Sequence, residues 1–230
     1  MRRFGLLSLV FATALAFGCN RNPSHDTSAN APANGSAVGT AGTNNVTAGD
    51  RDFVHDVAIA NMAEIDLARL ALQQSTNADV KKFAQMMIDD HTKAGDELKS
   101  IASQHNIEMP TQIDDKHQDL HNKLAEKKGI DFDKEYASKM VDGHQDFVDK
   151  LESRIDKKTV DEWKSKTSGT ADDGTKPEVK GTATTVLPEK SDNPITASIN
   201  QWAADTYPTA QAHLTAAKAL DKNLERRTTD

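Results

Sequence analysis

The chain has 230 residues, a formal net charge of -7, 27% charged and 37% hydrophobic residues, values of a water-soluble globular domain with tails. Its pI is near 5.6 and no tract concentrates Lys and Arg, which excludes a partner held through a phosphate backbone, since such binding needs clustered cations. Nucleic acid is therefore not an expected partner.

The opening stretch, MRRFGLLSLVFATALAFGCN, has a basic start, an apolar run from Phe4 to Phe17 and small residues at its end. That is the build of a secretory signal peptide, and the run is too short to span a bilayer comfortably. Two processing sites compete. Ala14-Leu15-Ala16 fits ordinary cleavage, whereas Gly18-Cys19 resembles the end of a bacterial lipobox, although Ala16 and Phe17 depart from its usual Leu and small residue. Cys19 is the only cysteine, so it forms no internal disulfide, and lipidation explains its position. The sequence thus predicts a signal peptide over 1–19 and an envelope protein anchored to a membrane through Cys19. This places it at the outer membrane or on the periplasmic face, with a soluble periplasmic form as the alternative. Residues 20–49 are rich in Ser, Thr, Asn, Ala, Gly and Pro without apolar periodicity and read as a flexible tether.

A folded domain is predicted over 50–224, followed by a tail at 225–230. Val54, Val57, Asn61, Ile65, Ala68 and Leu72 recur at helical spacing, with no Gly or Pro between them. Ser75 to Asn77 supply a turn and a cap before a second stripe of Val80, Ala84, Met87, His91, Ala94, Leu98 and Ile101. So short a link makes the two helices antiparallel neighbours. Pro110 stops continuation, and a short extra helix is expected from Ile113 to Lys127, ended at Gly129. The next long helix carries Phe132, Tyr136, Met140, His144, Phe147 and Leu151 on one face, with Gly143 lowering its propensity. Residues 159–193 read as a long polar loop inserted in the domain. A last helix, from about Pro194 to Leu224, presents Ile199, Trp202, Thr206, Thr209, His213, Ala216 and Leu220, and Pro208 is expected to kink or split it. With no strand-type alternation of useful length, the fold class is all-α, an up-and-down bundle of four long helices around one core.

Histidines occupy stripe positions on three of these helices: His91, His144 and His213. Glu64 sits at the stripe edge of the first. If neighbouring helices are antiparallel, Glu64, about eleven residues before the first turn, and His91, about fourteen after it, differ in height by about 4 to 5 Å. Inward imidazoles need partners, and three with a carboxylate at similar depth form a candidate metal site. The donor set suits copper, zinc or iron rather than calcium or magnesium. Met87 and Met140 lie one turn before His91 and His144, and thioether ligation there would favour copper. His117 and His121 form an i, i+4 pair and a secondary candidate, without the glutamate of an HExxH motif.

The segments MAEIDLARLA, VKKFAQMMIDDHTKAGDELKSIA, DDKHQDLHNKL, FDKEYASKMVDGHQ and YPTAQAHLTAAKAL together resemble a bacterial family of exported proteins, domain of unknown function 4142. The resemblance runs from about Asp52 to Leu220 apart from the polar loop. It implies a ferritin-like helical bundle, an outer-membrane association, and recurring positions at Glu64, His91, His117, His144 and His213. It implies no activity. Ferritin-like di-iron centres need a glutamate three residues before each ligand histidine, and those positions here hold Ile88, Val141 and Ala210, which excludes a ferroxidase centre. Asp90 and Asp142 are close in sequence but lie about 100° and 200° around the helix from their neighbouring histidines. What remains is a single metal ion held for storage, sensing or stress protection. The alternatives are a metal-free structural or interaction module with a buried His/Glu network, and a metal-dependent redox enzyme. No nucleophile motif or phosphate loop supports catalysis, so no catalytic residue is assigned.

Overall fold

In the computed structural model, residues 45–167 and 185–227 are described, all within one compact unit spanning Thr40–Asp230. Cys19, the signal-peptide segment and the tether up to 44 lie outside these residues, as does 168–184 of the expected polar loop. The described chain is helical, with a single isolated antiparallel bridge between Ile155 and Pro188. None of its helices is long and apolar enough to cross a membrane.

The elements are α1 (Ala48–Gln74), α2 (Ala78–Gln104), α3 (Asp115–Ala125), α4 (Gly129–Glu152), α5 (Lys157–Thr167) and α6 (Pro194–Arg226). Local chemistry sets their ends. Thr47 and Asp50 close a reciprocal capping box at the start of α1, and Asn77, Asp114 and Asn193 cap α2, α3 and α6 with side-chain oxygens. Pro194 opens α6, where its missing N–H has no helical partner to lose. Asn106 adopts φ 53° after α2, and this left-handed residue turns the chain so that Ile107 re-enters the core.

Helix α1 packs on α2, α4 packs on α6, and the two pairs meet through α1 with α4 and α2 with α6. Two apolar clusters fix the directions. Phe53, Val54 and Val57 of α1 share the first cluster with Leu98, Phe147, Leu151, Ile195 and Ile199, while Leu67, Ala71, Val80, Phe83, Phe132, Tyr136, Leu220 and Leu224 share the second. Hence α1 and α6 run from the first cluster to the second, and α2 and α4 run back. Consecutive long helices therefore do not simply alternate, because the chain returns along the α3 segment between α2 and α4, with Leu124 of α3 buried in the second cluster. Each of the four packed pairs is antiparallel.

The segment 159–193 is not loop throughout. Its start belongs to α5, whose Val160 is buried and whose Trp163 stands edge-on to Tyr207 at 5.4 Å. Its end is tied down by Asp156 N–H donating to Leu187 O and Glu189 N–H donating to Arg154 O, each at 2.9 Å, with Val186 buried. Two apolar anchors among polar residues were too sparse to give periodicity. Nor is α6 split: it continues through Pro208 as one helix, and its buried face carries Tyr207, Ala210 and Leu214, while Thr209 is exposed.

Between the two apolar clusters, each long helix contributes polar side chains to one layer. On α1 these are Asn61 and Glu64, on α2 His91, on α4 His144 and on α6 His213, all buried. The single core predicted from periodicity is thus two apolar cores with a polar layer between them.

Candidate metal centre

The layer converges. One ring nitrogen from each of His91, His144 and His213 lies within 4.8 Å of the others, and no second group of three His, Cys, Asp or Glu donors converges among the described residues. The rings of His91 and His144, His91 and His213, and His144 and His213 have centroids 5.5, 5.4 and 5.4 Å apart. Glu64 Oε2 stands 2.8 Å from His91 Nε2 and 3.2 Å from His144 Nε2. All four predicted ligands are therefore brought together.

The outer nitrogens determine what the inner ones offer. His144 Nδ1 lies 2.8 Å from the Met140 carbonyl, which only accepts, so the ring's proton is on Nδ1 and Nε2 of the neutral ring is bare. His91 Nδ1 lies 2.9 Å from Asn61 Oδ1 and donates to it in the same way. His213 uses Nε2 toward Asp90 Oδ2 at 2.8 Å. The two Nε2 atoms that meet Glu64 Oε2, and Glu64 Oε2 itself, are buried with no aligned hydrogen bond despite their close contact. With the rings neutral, three acceptor atoms face one another with no proton donor among them; a proton on either Nε2 would instead make an ion pair with Glu64.

Burial pushes the Glu64 carboxyl up, and it is positive charge at His144 and His91 that outweighs burial and brings its pKa down to about 2. Burial pushes His144 down against the attraction of Glu64, and burial together with His91 and His144 lowers His213 to about 4. With His144 and His213 neutral at neutral pH, the buried carboxylate loses part of the positive charge that holds it ionised, and a bound cation would supply it.

Two glycines make the approach possible. A Cβ at Gly143 would lie 3.1 Å from Glu64 Oε1, and one at Gly95 would lie 2.7 Å from Asn61 Nδ2. Periodicity placed Asn61 on the stripe without a role, and treated Gly143 only as a weakness of its helix. The readable signal was the pairing of an interior helix glycine with each of two stripe histidines, Gly143 beside His144 and Gly95 one turn after His91. Asp90 was also missed. It does lie away from His91, as helix geometry requires, but it reaches across to His213 on α6. Asp142 turns outward to Lys139 at 3.1 Å.

The secondary candidates sit elsewhere. His117 faces the α3 cap Asp114 and His121 faces Asp66 of α1, so each has its own carboxylate and the pair does not close on a shared point. Met87 and Met140 are buried in the second apolar cluster, and Met140 serves the layer through its backbone carbonyl. His55 is exposed beside Asp56.

Four helices each presenting inward donors at one level define an all-helical bundle with a candidate metal centre. The chain belongs to the family described as domain of unknown function (DUF4142), whose model matches residues 35–192. That span contains Glu64, His91 and His144 and most of the segment read as an insertion, whereas His213 lies beyond it. No curated protein and no solved structure matches the chain.

Proposed function

We propose that this is an exported envelope protein, held to a membrane through lipidated Cys19 and a tether that is shorter than the predicted 20–49 because α1 begins at Ala48 and Thr47 caps it, and that its ferritin-like domain holds one divalent transition-metal ion for storage, sensing or stress protection. The ferritin-like reading is supported by four antiparallel packed pairs with one crossover, along α3, joining the parallel helices α2 and α4. The observation that carries the metal reading is the meeting of His91 Nε2, His144 Nε2 and Glu64 Oε2 in a buried layer where none of the three has an aligned hydrogen bond. Each unsatisfied buried polar atom costs about 1–3 kcal/mol, and a cation satisfies all three at once. His91, His144 and Glu64 would hold the ion, with His213 as the third imidazole. Imidazole with one carboxylate suits zinc, iron or copper, and the absence of bridging glutamates at 88, 141 and 210 fits one ion rather than two.

Elemental analysis of the full chain purified without chelator, followed by titration with zinc, iron and copper, tests this reading. The expected result is about one equivalent in the parent protein and none in a folded His91→Ala, His144→Ala, His213→Ala variant. A parent chain that binds none of the three metals refutes it.

A second reading rests on the outer bonds. Asn61 to His91 ties α1 to α2, and Asp90 to His213 ties α2 to α6, so the same residues form a network that fixes helix register in a metal-free module. That reading predicts that the triple variant loses cooperativity of unfolding while the parent binds no metal.

A further inference from the structure

The four inward residues are not held alike. His91 is fixed from behind by buried Asn61, His144 by a backbone carbonyl of its own helix, and Glu64 by close packing on Gly143. His213 alone is fixed by a solvent-facing group: its ring is buried, but its partner Asp90 is 44% exposed. Five residues before His213 stands Pro208, which has no N–H for the Ala204 carbonyl, so the turn leading to His213 has one helical bond fewer.

Resting on the metal-centre reading, we propose that Asp90 is the loading residue of the centre, a half-exposed carboxylate that captures a hydrated divalent first-row transition cation and passes it to the buried ligands by way of His213. A cation on Asp90 Oδ2 competes with His213 Nε2 for the same oxygen. The ring, released from the carboxylate, turns toward His91 and His144, whose ring centroids are each 5.4 Å from its own. The cation then exchanges water for imidazole nitrogen and for Glu64 Oε2. Asp90 makes this a stepwise transfer from a hard, hydrated oxygen site to a buried nitrogen-rich one, instead of one dehydration at the surface. Binding also leaves the three converging acceptors satisfied, which supplies the inward driving force.

The test is stopped-flow uptake of cobalt(II), followed by its visible absorption, with a zinc chase for release, using the full chain and its D90N and D90E variants. The expected result is one equivalent bound by all three, uptake by D90N slowed about tenfold or more with a flatter ionic-strength dependence, and D90E at nearly the parent rate. An unchanged uptake rate in D90N, including one accompanied by faster release, overturns the loading role and leaves Asp90 as an orienting partner of His213. Unchanged uptake in D90N leaves the metal centre itself standing. A parent chain that binds neither cobalt nor zinc brings down the centre and the loading role together.

Discussion

Glu64 packs tightly over Gly143: a Cβ on Gly143 would lie 3.1 Å from Glu64 Oε1, a few tenths of an ångström closer than ordinary contact. Glycine in a helix interior costs about 1 kcal/mol relative to alanine, and here that cost coincides with room for the carboxylate beside His144. Gly143→Ala should leave unfolding stability within about 1 kcal/mol of the parent, because improved helix propensity offsets displacement of the carboxylate. Metal affinity should fall about tenfold, measured by competition with a chromophoric chelator. Full retention of affinity would show that Glu64 yields to the new methyl group without losing its place beside His144, and that Gly143 is not needed for metal binding.

Gly95→Ala should behave differently. Its Cβ would meet Asn61 Nδ2 at 2.7 Å, and Asn61 is buried and bonded to His91 Nδ1, so it has less freedom to move than a carboxylate tip. Overpacking of this kind costs about 1–3 kcal/mol, more than the helix gains. Thermal unfolding should show net destabilisation of about 1 kcal/mol or more; a stabilised variant would mean that Asn61 does not hold His91 in place.

The polar layer was legible because His91, His144 and His213 each interrupt an apolar stripe and Glu64 sits at the edge of another, and such a pattern survives an error of a residue or two in helix boundaries. Contacts between helices were not legible. Asp90 points away from the stripe of its own helix, and only the packing of α2 on α6 reveals that it serves His213. The face of α6 was read through Thr209, which is exposed, because an alanine-rich helix presents similar residues on several sides. Helix α5 escaped notice because Val160 and Trp163 are its only apolar anchors, and Trp163 finds its place against Tyr207, a residue 44 positions later in the chain.

Substituting Glu64 by Gln separates a metal centre from a structural network. The amide keeps the shape and adds an N–H₂ donor where His91 and His144 present bare Nε2 atoms 2.8 and 3.2 Å from the present carboxylate oxygen. In the metal-free protein at about pH 8, where the rings are neutral, this relieves unpaired buried acceptors, so stability should rise by about 1 kcal/mol in chelator-treated samples, while metal affinity drops at least about tenfold. Loss of stability in the metal-free state, with no metal bound by the parent, would instead favour a charged network whose role is helix register.

Acid sensitivity should arise in part at Asp50, away from the metal centre. This buried carboxylate accepts bonds from Thr47 Oγ1 at 2.7 Å, Thr196 Oγ1 at 2.8 Å and Arg154 Nη1 at 2.8 Å, joining the start of α1 to α6 and to the residues after α4. Burial alone would raise its pKa, but the bonds from Thr47, Thr196 and Arg154 outweigh burial and hold it below the ordinary aspartate value. A group whose pKa is lowered on folding stabilises the protein above its unfolded pKa, about 3.9, and that contribution is lost as pH falls through the lower folded value. Asp50→Asn should therefore cost about 1.5–3 kcal/mol at pH 7, since hydrogen bonds to a charged group are replaced by weaker ones. In urea unfolding, the difference between parent and variant should stay constant from pH 7 to about 5 and narrow below about 4. A difference that does not change down to pH 3 would show that the carboxyl titrates alike in the folded and unfolded chain, and that the cost of the substitution is steric.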